Sequence, residues 1–530
     1  MANPLVTDPT PPTPQPPPRL DRLSAWSLVL LGIVVLLQIV SQFNLTGRLS
    51  GGMLKSEVAP GKRADIKDVL EIDENAKWAY AAIYLEPGKD LPSLSKTWLD
   101  RAIKTAEGHF REFPSDREIA RRVMILRAAT GIQPLMGVTA NRNHEAVPPP
   151  LTAFDSERPD QRAEADVWRT VFSYKKLPAG SDPGVLASKI EAISSLRWYK
   201  NVALQQLWQR AGLNERAKNS RIAAATDSFN AIAPLTVLYS LVLLISLAGI
   251  TMLIGLAVRA ALVRGVAKPE RVSVFDAFAI PLPDPIEPAE RRLGSGDQFN
   301  LFVTCMVLFV AISYVAEYVP IKLFPAAFAA MPQSHKINVV VSMLATSQAL
   351  TTFLAVLIVL RYARSRGASV AKEIGLTFAN PFKNALAGAV GWGISLPLIL
   401  VSSKVALKLF PNTPDPSNPA IPLTIYSSGN GAKIALFFVI CILAPIFEEI
   451  MFRGLFFQTA RAKFGPWPAI VLTGIVFGLV HPVSIVGSIP LMVLGMVFAW
   501  LAETRKSLLP GMVAHSLQNT VSFLVMMFLS

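Results

Sequence analysis

Apolar and polar positions are laid out along this chain in long blocks rather than mixed residue by residue. Apolar runs recur at residues 23–45, 234–258, 299–319, 337–361, 382–407, 433–455, 467–482, 484–502 and 508–529. A helix crosses the ~30 Å hydrocarbon core of a bilayer with about 20 such residues, so the pattern predicts about nine spans. Between the first run and the second the character changes. Trp98, Leu99, Ala102, Ile103, Ala106 and Phe110 recur at helical spacing. Ser115 with Glu118 reads as a capping box that opens a helix running to Ala129. Asp182-Pro183 starts another, leading toward Trp208. Strand alternation is scarce. The expected fold is all-α: a polytopic transmembrane helix bundle with a soluble, mainly helical domain inserted after the first span.

The expected boundaries are a Pro-rich disordered tail at 1–22, an uncleaved anchor at 23–45, the soluble domain at 46–230, accessory spans and a linker at 231–375, and a catalytic membrane core at 376–530. Composition agrees with the spans, since apolar residues make up 52% of the chain and charged residues 17%. Fifty-one Lys and Arg against 37 Asp and Glu leave a formal charge of +14. In a soluble chain that excess points to nucleic acid. Here it sits in short loops: Arg259 to Arg292, Arg361 to Lys372, Arg461 with Lys463, and Arg505 with Lys506. The intervening loops are poor in Lys and Arg, so the charge orients the spans and no nucleic-acid partner is expected. With Arg19 and Arg22 inside, every rich loop falls in the cytoplasm and residues 46–230 fall outside a cell membrane. Cys305 and Cys441 both lie in apolar runs and read as small hydrophobes.

Ionisable groups inside spans are costly and are functional by default. Two of the five histidines, His481 and His515, fall in the terminal spans, which also hold Glu448-Glu449. In helical register Glu449 and Arg453 meet on one face, and Glu448 is turned about 100° away. Glu449–Arg453 alone has a plain rival reading as a buried packing pair. Glu448 has no such partner and suits a general base. Phe477 and His481 share a face, as do His515 and Asn519. Glu448 and His481 can hold and deprotonate a water, and His515 with Asn519 can donate to the oxyanion that develops on a scissile carbonyl. Glu448, His481 and His515 are also Zn²⁺ ligand types, so a metal-bound water is the variant mechanism.

EEIMFR, FGLVH and HSLQN, in this order on successive apolar segments, resemble the EExxxR, FxxxH and HxxxN motifs of the CPBP family. That family comprises the type II CAAX prenyl endopeptidases and their bacterial Abi relatives. The resemblance covers residues 380–530 and implies an all-helical intramembrane endopeptidase. Glu448 would activate water beside His481, His515 and Asn519 would surround the oxyanion, and Glu449 and Arg453 match the remaining positions. The implied substrate is a membrane protein or peptide. The resemblance admits both metal-bound and metal-free hydrolysis, and it does not reach the domain at 46–230, whose partner stays open.

Other strings carry less. Gly294-Ser295-Gly296-Asp297 spells the GxGD of aspartyl intramembrane proteases, but no second aspartate lies in a neighbouring span, and Asp297 reads as a helix cap. His144-Glu145 starts an HExxH that is not completed. A transporter with a Glu/His proton relay is the rival function. Such folds show paired, interrupted helices in corresponding halves, whereas here the ionisable groups crowd the last spans and the earlier ones are almost bare. An inactive membrane scaffold of the same fold is the other alternative.

Overall fold

A computed structural model describes residues 66–85, 93–137, 146–154, 157–193, 196, 198–266, 293–318, 323, 324, 326, 331, 333–410, 423, 424, 427, 429–481 and 483–529. The tail, the expected first span and the His144-Glu145 string lie outside these residues. Among the described residues every regular element is helical.

Helices α1 (Ile66–Leu85), α2 (Ser93–Glu112), α3 (Arg117–Ala129), α4 (Pro159–Phe172), α5 (Pro183–Glu191), α6 (Tyr199–Arg210) and the first third of α7 (Asn214–Val266) enclose one apolar core. Ile72, Leu99, Phe110, Met124 and Trp168 are fully buried there. The face read from Leu99, Ala102, Ile103, Ala106 and Phe110 is the buried face of α2. One start signal resolves differently from the sequence reading. α3 is capped by Asp116 rather than Ser115: its carboxylate accepts the Glu118 and Ile119 backbone N–H groups at 2.9 and 3.3 Å. A carboxylate in extended backbone one residue nearer the helix takes the capping position first. Asp182 does open a helix, accepting from Gly184 N–H at 2.7 Å with Pro183 in the first turn. That helix ends at Glu191, however, and Trp208 belongs to the separate α6.

The unit is cross-tied by ion pairs at its core. Arg122 donates to both oxygens of Asp73 at 2.7 and 3.0 Å and sits 3.2 Å from Glu118. Burial works against the guanidinium charge, but the two carboxylates outweigh it and hold Arg122 well above its ordinary range. Asp73→Asn would leave that cation buried with half its partners. A loss of about 3–5 kcal/mol of stability is expected, read as a fall in the midpoint of chemical denaturation.

α7 is 53 residues long, about 80 Å at 1.5 Å per residue, and runs unbroken from this unit into the bundle. Pro234 lies inside it and removes one backbone hydrogen bond without ending it. Beyond Pro234 the side chains of Val237, Leu243, Leu244 and Ile254 face outward, the arrangement lipid calls for. The bundle continues with α8 (Ser295–Ser313, extended by a π turn at Tyr314–Tyr318), α9 (Gln333–Ser365), α10 (Val370–Ile374), α11 (Pro381–Leu409), α12 (Asn430–Phe464), α13 (Pro466–Leu479), α14 (Ile485–Arg505) and α15 (Leu509–Leu529).

Among the described residues six helices are long and apolar enough to cross a membrane: α7, α8, α9, α11, α12 and α14. The regular structure of the described residues is therefore all helical, and the chain is a multi-pass membrane protein. The remaining expected spans are the undescribed 23–45, the 14-residue α13, and α15, whose 21 residues carry His515, Gln518 and Asn519 in their middle.

A cluster of ion pairs gathers at one end of the bundle. Arg461 at the end of α12 pairs with Glu503 at the end of α14, where Lys506 joins them. Asp297, in the first turn of α8, accepts the Gly294 N–H at 3.3 Å and binds Tyr362 and Arg366 at the end of α9. It thus stabilises a helix start, and its environment is a surface ion pair rather than a protease dyad. The opposite end of α15 meets the first helical unit, where Val525 and Phe528 pack with Trp78, Ala81, Ile232 and Leu235. The helical unit and the basic cluster therefore occupy opposite ends of the bundle.

Candidate active site

α12 carries Glu448, Glu449 and Arg453, yet it is not a uniform α-helix. Two π segments, Val439–Leu443 and Glu449–Phe456, flank a short α-helical stretch, Ala444–Glu448. Pro445 lacks an N–H and crowds the carbonyl four residues before it, and a widened turn relieves that crowding. The second π segment begins at Glu449 itself, the kind of helix defect found at functional sites. The α-helical register expected from sequence is thus replaced, but the pair survives: Arg453 Nη1 donates to Glu449 Oε1 at 2.8 Å with both side chains fully buried. Arg453 Nη2 donates to the Gly495 carbonyl at 3.0 Å, and the guanidinium stacks 4.4 Å from the Phe477 ring centroid.

α13 brings His481. At 14 residues it rises only about 21 Å, less than the ~30 Å hydrocarbon thickness, so its end stops within the bundle. It lies tightly on α14 through Gly474 and Gly478, where an added Cβ would stand 2.6 Å from the Met492 carbonyl oxygen and 2.7 Å from that of Ser488. Such small-residue contacts let membrane helices approach backbone to backbone. His481 Nδ1 lies 2.6 Å from the Phe477 carbonyl. A carbonyl only accepts, so the ring proton is at Nδ1 and Nε2 is left as an acceptor. That Nε2 is 3.7 Å from Glu448 Oε2.

His515 comes from α15 and is 3% exposed, which places it inside the bundle. Its Nε2 lies 3.8 Å from Glu448 Oε2 and its Nδ1 lies 3.4 Å from Glu449 Oε1. The rings of Phe477 and Phe498 enclose it, with centroids 5.8 and 5.1 Å away. Three helices thus deliver Glu448, His481 and His515 to one place, with Glu449 and Arg453 behind. Glu448 Oε2 has no hydrogen-bond partner although the atom is buried. Around it stand the Nε2 atoms of His481 and His515, near enough for one water molecule to touch them and the carboxylate together. Asn519, one turn beyond His515, points its Nδ2 at the Ile440 carbonyl, 2.8 Å away. It ties α15 to the first π segment of α12.

A zinc ion held by such groups at about 2.1 Å would set neighbouring donors about 3.4 Å apart. The separations of 3.7 and 3.8 Å are wider. No trio of His, Cys, Asp or Glu among the described residues is arranged to hold a metal ion. The donor types suit zinc, and the separations stand within about 0.4 Å of that spacing. A bound zinc would be held by Glu448, His481 and His515 and would make its water more acidic; the steps below are those of the side chains and water.

The sequence motifs contain all of the ionisable groups found here. They do not point to the Gly495 carbonyl, to Phe498, or to Gly511, where an added Cβ would stand 2.3 Å from Glu449 Oε2. Gly511 precedes His515 by four residues, so helical spacing alone places it on the same face.

No curated protein and no solved structure matches the chain. Residues 430–521 match a family model, that of the Rce1-like type II CAAX prenyl endopeptidases. The matched stretch runs from the start of α12 into α15 and includes Glu448, Glu449, Arg453, His481, His515 and Asn519. It is narrower than the 380–530 suggested by the motifs, leaving α11 outside. The stretch from the start of α12 into α15 is thus similar to the Rce1-like type II CAAX prenyl endopeptidases.

Proposed function

We propose that this chain is an intramembrane endopeptidase that hydrolyses a peptide bond of a membrane-associated protein or peptide with a water activated by Glu448 and His481. The observation that carries the reading is the buried, unpartnered Glu448 Oε2, 3.7 Å from His481 Nε2 and 3.8 Å from His515 Nε2. Water between Glu448 and His481 gives a proton to the carboxylate as its oxygen bonds to the scissile carbonyl carbon. Negative charge then develops on the carbonyl oxygen. His515, and the second amide hydrogen of Asn519, supply donors for it. Collapse breaks the C–N bond, and the proton held by Glu448 passes to the leaving amine. Glu449 and Arg453 hold the second histidine from behind. The excess of basic loops assigns the charged end of the bundle to the cytoplasm and residues 46–230 to the outside.

The test is release of product from a fluorogenic farnesylated CAAX peptide, and from an unprenylated apolar peptide, by the purified protein in lipid nanodiscs. Glu448→Ala should lower kcat by about 10²–10⁴-fold on whichever peptide is cleaved. Hydrolysis is expected to persist in a metal chelator, whereas its loss there would hand the water to a metal on Glu448, His481 and His515. Wild-type protein inert on both peptides, or a Glu448→Ala variant as fast as wild type, would overturn the reading.

A further inference from the structure

Glu449 is pinned from two sides. On one, Arg453 holds Oε1 at 2.8 Å, and Arg453 is itself fully buried, bonded to the Gly495 carbonyl and stacked on Phe477. On the other, Oε2 lies against the bare backbone of Gly511, where an added Cβ would stand 2.3 Å from Oε2 and 3.0 Å from the carboxyl carbon. No side chain fits between α15 and this carboxylate. His515 follows one turn later on α15, its Nδ1 3.4 Å from Glu449 Oε1 and its Nε2 3.8 Å from Glu448 Oε2.

We infer that Gly511 is a positioning residue: its missing side chain lets the Glu449 carboxylate lie against α15 and so sets where His515 stands relative to Glu448. This rests on the reading that His515 belongs to the site. A methyl group at 511 forces one of two movements. The carboxylate swings away from its partners, or α15 is pushed outward and takes His515 with it. Both open the 3.4 Å contact and displace Nε2 from the water.

Gly511→Ala should therefore lower kcat about 100-fold, the effect of a displacement near 1 Å, with KM little changed. Glu449→Asp shortens the acid by one methylene and makes room for the new methyl group. The Glu449→Asp/Gly511→Ala double variant should be at least about tenfold faster than Gly511→Ala, although Glu449→Asp alone is slower than wild type. Gly388→Ala is the comparison. Its Cβ would meet the Pro510 carbonyl oxygen at 2.5 Å and Val513 Cβ at 2.9 Å, pressing on the same stretch of α15 from α11. Glu449→Asp should not improve Gly388→Ala.

Where Gly511→Ala does not accumulate as folded protein, the same contrast is read from folded yield and thermal midpoint. Wild-type kcat in Gly511→Ala, no gain from Glu449→Asp, or an equal gain for Gly388→Ala would each overturn the inference. Failure of the hydrolysis reading leaves the thermal contrast intact. Failure of the positioning role leaves Glu448→Ala inactive beside a fully active Gly511→Ala.

Discussion

Changing Glu448 and His481 to Gln together is expected to slow hydrolysis no more than changing either one alone, about 10²–10⁴-fold in kcat. The two groups come from different helices and face one gap of 3.7 Å. His481 has its Nδ1 committed to the Phe477 carbonyl, so only Nε2 can serve the water, and it serves as an acceptor. If both groups hold the same molecule, removing one already frees the water from its place, and the second removal finds nothing left to lose. Groups that act as a unit behave in this non-additive way. Gln keeps the size and much of the packing of each side chain, so the thermal midpoint should stay near that of the wild type. The measurement is kcat for wild type, two single variants and the double on one cleaved peptide. Losses that multiply would mean two independent tasks, and the shared water would have to be abandoned.

How much of this site the sequence discloses depends on whether a contact is local or crosses between helices. The Glu449–Arg453 pair and the Phe477–His481 face follow from spacing within one helix, and both are present. The alternation of apolar and polar blocks likewise marks the helices of the bundle and the separate core around Trp168 and Phe110. Other features are settled only by packing. The π segments of α12 arise where neighbouring helices and Pro445 force extra residues into the turn, and hydrophobic pattern is blind to one such insertion. His515 between two glutamates is a contact of α15 with α12, and no single-helix register reveals it. Asn519 reads from sequence as an oxyanion donor, while its Nδ2 is found on the Ile440 carbonyl. The apolar run that ends at Pro482 already reads as short, and α13 is shorter still, ending at Leu479, which lets His481 stop inside the bundle. Asp116 rather than Ser115 caps α3 because both are competent caps and the backbone chooses between them.

Arg453→Met is expected to destabilise the protein by about 3–5 kcal/mol, the range for removing one partner of a buried ion pair. Both side chains of the Glu449–Arg453 pair are fully buried, so the Glu449 carboxylate would stay behind without its cation and away from water. The Gly495 carbonyl would lose its donor in the same stroke. The flat guanidinium packed over Phe477 and Phe498 would be exchanged for a flexible thioether. Neutralising the other partner separates these contributions. An Arg453→Met/Glu449→Gln double variant carries no stranded charge and should regain much of the lost stability, since an apolar replacement of a whole buried pair is often neutral. Activity should not return with it. A neutral amide at 449 attracts His515 Nδ1, 3.4 Å away, far less than a carboxylate, and the ring loses the group that orients it. The expected pattern is a recovered thermal midpoint with kcat still depressed. If the double variant regains both, the pair serves packing alone and His515 takes its place in the site without it.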